Sequence, residues 1–192
     1  MKFNFKIQPF QTEAVDSVVG VFEGQPKQEP VSYRRDVGKY EPTQPLTPQI
    51  SLPFAPEQDD EDETGYRNAA LELPEQRLLE NIRRIQTRNN IKLSPSLVKE
   101  LGAASLDVEM ETGTGKTYVY IKTMFELYKR CGWGKFIVVV PSVAIREGVK
   151  KSFEITQEHF MELYGIKARF FVYNSRTCTN WTNFPAHSGS TS

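Results

Sequence analysis

The stretch Glu111-Thr112-Gly113-Thr114-Gly115-Lys116-Thr117 has the residue types and spacing of a loop that binds phosphate. Gly113 and Gly115 let the backbone turn tightly and aim its N–H groups at phosphate oxygens. A helix that starts at Lys116 adds the partial positive charge of its N-terminus. The Lys116 ammonium can reach the β- and γ-phosphates, and the Thr117 hydroxyl can ligate Mg²⁺. ATP with Mg²⁺ is the cofactor pair this chemistry serves. The full pattern G-x-x-x-x-G-K-[ST] asks for glycine at 110, where Met110 stands, so a shorter G-x-G-K-T remains. A plain glycine turn with an exposed lysine is the other reading.

Such a loop needs a strand before it and a helix after it. Leu106, Val108 and Met110 alternate as in a short strand. From Lys116 to about Lys129, the spacing of Val119, Ile121, Met124, Phe125 and Tyr128 predicts a helix. Phe136 to Val140 reads as a buried strand from its β-branched content, 142–163 as a second helix, and Ala168 to Val172 as a third strand. This β-α-β-α-β order predicts an α/β fold with a parallel sheet covered by helices. Ahead of it, Pro9 can open a helix whose apolar face is Phe10, Ala14, Val15, Val18, Val19 and Phe22, with Gly24 as its stop. Leu73 to about Arg88 predicts another helix, with Leu78, Leu79, Ile82 and Ile85 on one face. Ser94-Pro95 looks like the start of a shorter one ending near Gly102.

Between these helices the periodicity collapses. Seven of the 12 prolines lie from Pro26 to Pro56, and an acidic run follows from Glu57 to Glu63. Proline removes backbone donors and fixes φ, so 25–66 reads as a disordered Pro-rich and acidic insertion. The zero net charge hides an asymmetry: residues 1–64 carry 6 Lys+Arg against 12 Asp+Glu, and 65–192 carry 18 against 12. A mildly basic second part suits a polyanion, and equally an ordinary solvated surface. The longest apolar run, Phe136 to Val140, falls far short of the roughly 20 residues that cross a bilayer. No apolar signal core follows Met1, and Cys131 and Cys178 make no disulfide framework, so a cytoplasmic protein is expected.

Loops of the form x-x-T-G-x-G-K-T resemble motif I of superfamily 2 helicases and translocases. Gln11, within Ile7-Gln8-Pro9-Phe10-Gln11-Thr12-Glu13-Ala14-Val15, resembles that family's Q-type element. There a glutamine amide reads adenine, because it offers a donor and an acceptor together; a solvated helix glutamine is the alternative. Val140-Pro141-Ser142-Val143-Ala144-Ile145-Arg146-Glu147-Gly148-Val149 resembles motif Ia, which grips a nucleic-acid backbone. Ser142 would stand at a helix N-terminus that favours phosphate, and Arg146 could add a charged contact or simply be solvated.

Together with Leu73-Pro74-Glu75-Gln76-Arg77-Leu78-Leu79-Glu80-Asn81-Ile82, these stretches resemble the N-terminal part of the restriction (Res) subunit of type III restriction endonucleases. The resemblance implies a RecA-like lobe in an ATP-dependent DNA translocase with a C-terminal nuclease domain. It implies double-stranded DNA and a DNA-methylating modification subunit as partners. On this reading 1–24 is a helix with the Q-type element, 67–176 part of helicase lobe one, and 177–192 an irregular tail. Hydrolysis needs an acidic motif after a later strand. The acids after Lys116 are Glu126, Glu147, Glu154, Glu158 and Glu162, all in expected helices. The chain is therefore expected to be a truncated piece with no catalytic residue of its own. A nucleotide-binding or assembly module that does not hydrolyse ATP is the rival expectation.

Overall fold

The computed structural model describes residues 5–34, 64–100 and 102–172. The element order is α1 (Pro9–Val21), β1 (Val31–Arg34), β2 (Thr64–Arg67), α2 (Glu75–Arg88), α3 (Lys116–Cys131) and α4 (Val143–Tyr164).

α3 carries the core. Its Val119, Leu127 and Cys131 pack with Val15 and Val19 of α1. Its Ile121 and Phe125 pack with Phe160 of α4, and the Phe125 and Phe160 rings stack 5.0 Å apart. Each such burial contributes about 1.5–3 kcal/mol. α3 ends at Gly132, whose φ of 79° is left-handed. A Cβ there would meet the Gln28 carbonyl oxygen at 1.9 Å, so only glycine lets the chain pass.

α1 opens at Pro9 as its spacing predicts. Its last carbonyls have no helical donors. The buried Asn81 of α2 meets this need, donating through Nδ2 to the carbonyls of Val21 and Glu23 at 2.9 Å each. Gln25, also buried, donates to the Ala70 carbonyl at 3.0 Å and accepts from the Glu72 N–H at 2.9 Å. Asn68 accepts from the N–H groups of Gly134 and Lys135. These amide side chains sew the segment before α2 to the end of α1 and to the segment after α3.

Three expectations meet a different structure. First, no parallel sheet forms among the described residues: 106–110, 136–140 and 168–172 enter no ladder. Alternation in a sequence reports which way side chains point. It does not supply the hydrogen-bonding neighbour that makes a strand, and a βαβ connection need not make its two strands neighbours. Second, 94–100 is not helical. Arg83 captures the carbonyls of Ser94 and Pro95 at 2.9 and 2.8 Å, and the Ser94 N–H donates to Gln86 Oε1. Groups that would begin a helix are spent on α2, so Ser94 and Pro95 do not start one. Third, the two ends of the stretch 25–66 are ordered. β1 and β2 pair antiparallel, from Val31 opposite Arg67 to Arg34 opposite Thr64. Its middle, and the tail from 173 on, lie outside the described residues.

Candidate phosphate-binding site

The loop before α3 has the geometry that its glycines foretell. Gly113 and Gly115 both have φ of 84°, and Gly115 is the N-cap of α3. A non-glycine residue in this region is strained by about 1–2 kcal/mol. The loop folds around one acceptor. The Glu111 carbonyl receives the Thr114 hydroxyl at 2.6 Å, the Thr114 N–H at 3.5 Å and the Lys116 Nζ at 3.2 Å. Thr112, Gly113 and Lys116 are exposed, and Thr117 is half-buried in the first turn of α3. No acidic residue occupies that turn. The N–H groups at the start of α3 therefore have no carboxylate in their own turn competing for them.

Gln11 reaches this loop from α1, 103 residues away in sequence. Its Nε2 donates to the Thr114 carbonyl at 2.9 Å. The same atom would lie 2.6 Å from a Cβ on Gly115, so the amide rests directly on the glycine. The structure thus unites Gln11 with 112–117. It does not unite them with Ser142 and Arg146, which stand at the start of α4. There Ser142 caps the helix, its hydroxyl accepting from the Ile145 N–H at 3.3 Å. The Arg146 guanidinium is held by neighbouring Glu147, with Nε at 3.2 Å and a second nitrogen at 3.1 Å from one carboxylate oxygen.

Sequence reasoning did not single out the group behind the loop. Tyr118, next to Thr117, shares a 3.0 Å hydrogen bond with His159 Nε2 of α4. Its ring also stacks on Phe160 at 5.2 Å, and Phe5 packs on His159 at 4.8 Å. Burial lowers the His159 pKa. Glu162 opposes that shift and Lys122 adds to it. Burial also raises the Tyr118 pKa. An aromatic residue straight after G-K-T was the available signal, but its partner is 41 residues away.

The residues present fit a nucleotide phosphate. They offer left-handed glycines, helix N–H groups and an exposed lysine tip whose present partner is one carbonyl. Among the described residues no group of three or more His, Cys, Asp or Glu side chains could hold a metal. No helix among the described residues is long and apolar enough to cross a membrane.

The family model described as type III restriction enzyme, res subunit, matches residues 71–178. The EcoP15I Res subunit of Escherichia coli is 40% identical over 111 residues, which is 57% of this chain and 11% of that protein. The EcoPI Res subunit of Escherichia phage P1 is 38% identical over 113 residues, 57% of this chain and 11% of that one. The StyLTI Res subunit of Salmonella typhimurium is 48% identical over 63 residues, 32% of this chain and 6% of its own length. The matched stretches span about a tenth or less of these relatives.

Proposed function

The chain belongs to the type III restriction enzyme, res subunit family, and from that premise we propose that it is the ATP-binding part of the first helicase lobe of an ATP-dependent DNA translocase. The family implies a RecA-like helicase fold; in this reading 106–110, 136–140 and 168–172, which pair with no strand among the described residues, supply strands of its parallel sheet. One observation carries the reading: Gln11 of α1 rests on the Thr114–Gly115 turn of a loop that ends in Lys116 and Thr117. An element suited to read a base and an element suited to hold phosphates meet at one point.

In this reading the N–H groups at the head of α3 and the Lys116 ammonium hold the phosphates, and Lys116 leaves the Glu111 carbonyl to do so. Thr117 offers its hydroxyl to Mg²⁺, which neutralises phosphate charge when bound. Thr112 and Thr114 line the turn, and the Gln11 amide faces adenine. Ser142 and Arg146 touch the phosphates of double-stranded DNA, Arg146 by exchanging Glu147 for a phosphate. A DNA-methylating modification subunit supplies the choice of DNA sequence.

A second reading, binding without hydrolysis, is favoured by the placement of the acids. Glu126 accepts from the Tyr164 hydroxyl at 2.8 Å and pairs with Arg130 at 3.4 Å. Glu147 is taken by Arg146. All five acids that follow the loop in this sequence lie on α3 or α4, and none follows a strand among the described residues.

Titration of a fluorescent ATP analogue into the wild type and Lys116→Ala tests the site. Binding that Lys116→Ala removes supports it, and equal binding refutes it. DNA-stimulated ATP turnover by the purified chain, lost in Lys116→Ala, would overturn the second reading.

A further inference from the structure

Lys122, in the second turn of α3, is only 9% exposed, a burial that lysines rarely undergo without a paired carboxylate. Among the described residues no carboxylate forms an ion pair with it. Its Nζ donates instead to the Thr12 hydroxyl oxygen of α1 at 3.4 Å. The N–H groups of that first turn of α1 are themselves partly positive, so the ammonium stands against the helix dipole as well as against burial. A flexible apolar side chain of similar length would sit there at lower cost. The turn it touches has little else to hold it. The N-cap residue, Gln8, makes no side-chain cap, and no acidic residue lies in the turn. The Thr12 hydroxyl accepts from Lys122 and donates to the Gln8 carbonyl at 3.4 Å, and the Thr12 N–H donates to the same carbonyl at 3.1 Å. A relay from α3 through Thr12 to Gln8 thus closes the turn. Gln11, the residue before Thr12, belongs to it and donates through Nε2 to the Thr114 carbonyl at 2.9 Å.

We propose that Lys122 is a positioning residue: through Thr12 it fixes the turn of α1 that aims the Gln11 amide at the phosphate loop, and so it sets the preference for an adenine base. The choice of base rests on the nucleotide site proposed above; the hold on Gln11 does not. The two lysines of α3 then have separate tasks. Lys116 is exposed and meets the phosphates, whereas Lys122 is buried and never touches the ligand. Grip on the triphosphate is independent of Lys122, and selection of the base depends on it. The placement of an ammonium where folding alone disfavours it follows from this role, because methionine in its place would fill the space and leave the Thr12 hydroxyl without its donor.

Two measurements on Lys122→Met in the full chain test the two steps. Without nucleotide, the Gln11 side-chain amide is followed by NMR, its signals assigned by their loss in Gln11→Ala. In the wild type their shifts should depart from those of a free glutamine. In Lys122→Met they should move towards the free values, while the urea midpoint stays level or rises because a buried charge has gone. Thr12→Ser, which keeps the hydroxyl, should keep the wild-type shifts. With nucleotide, ATP and GTP compete against a fluorescent ATP analogue. Lys122→Met should lose about fivefold of the wild-type preference for ATP, the worth of one hydrogen bond, with tripolyphosphate binding unchanged. Gln11 signals that stay in place in Lys122→Met overturn the proposal. So does a urea midpoint that falls as they move, which is the mark of a merely structural lysine. An ATP preference that survives Lys122→Met overturns the role in base choice. Moved Gln11 signals in a chain that binds no ATP would support the hold on Gln11 and refute the nucleotide reading instead.

Discussion

Gly113→Ala and Gly115→Ala form a matched pair that measures the Gln11 contact. Both glycines have φ of 84°, so alanine costs each the same left-handed strain, about 1–2 kcal/mol. Both substitutions also restrict the unfolded chain equally. Their surroundings differ. A Cβ on Gly113 meets nothing within 4 Å, and one on Gly115 lies 2.6 Å from Gln11 Nε2. That atom is the end of a flexible side chain, so it swings aside and the steric cost is small. What it gives up is its hydrogen bond to the Thr114 carbonyl. Gly115→Ala should therefore destabilise by about 1 kcal/mol more than Gly113→Ala, roughly a fivefold difference in the folding equilibrium. Equilibrium urea unfolding reads this directly. In a Gln11→Ala background the difference should vanish, because there is no bond left to lose. A difference that persists there, or equal costs in the wild-type background, would refute the claim that the Gln11 amide seals this turn.

Lys116→Ala should remove binding of a fluorescent ATP analogue while leaving the urea midpoint unchanged, since the exposed Nζ holds only the Glu111 carbonyl. Acid should weaken the fold through His159. Burial lowers its pKa below the ordinary value of about 6.5, so the unfolded chain binds more protons. Stability should fall as pH drops below that value and level off once the folded pKa is passed. His159→Gln, which keeps a polar tip for the Tyr118 hydroxyl, should lose that slope when unfolding is followed from pH 8 to pH 5. Arg146→Ala should weaken DNA binding equally for unrelated duplexes and reduce the slope of log affinity against log salt by about one unit, as gel shifts at several salt concentrations would show.

Local signals in the sequence were the ones that held. Pro9 opens α1, and Ser142 caps α4. The types of the site residues were legible too, because a turn that points N–H groups at phosphate needs glycine. What escaped was non-local. β1 and β2 pair across the undescribed middle of the insertion, and at four residues each they are too short to specify a partner. Gln25, Asn68 and Asn81 read as ordinary polar residues, yet each ties two segments through main-chain groups. Ser94-Pro95 carries a helix-start signal that fails because Arg83 takes both carbonyls first. A strong local pattern lost to a nearby charged donor, which no window of sequence around Ser94 reveals.

The position of α3 explains why the loop is shaped without a paired strand beneath it. Most phosphate loops owe their rigidity to the sheet on one side and the helix on the other. Here 106–110 has no ladder among the described residues, so the helix side must hold the turn. α3 is buried on two faces, by Val15 and Val19 from α1 and by Phe160 from α4. Gln11 belongs to the same α1 that packs on it, so the donor on Thr114 and the helix under Lys116 are fixed to one body. On the opposite face Tyr118 is fixed by His159. Loosening either face should therefore disturb the head of α3 before it melts the rest. Gln11, Tyr118 and His159 thus act by position on the proposed phosphate-binding turn, beside which Lys116 is exposed and Thr117 half-buried.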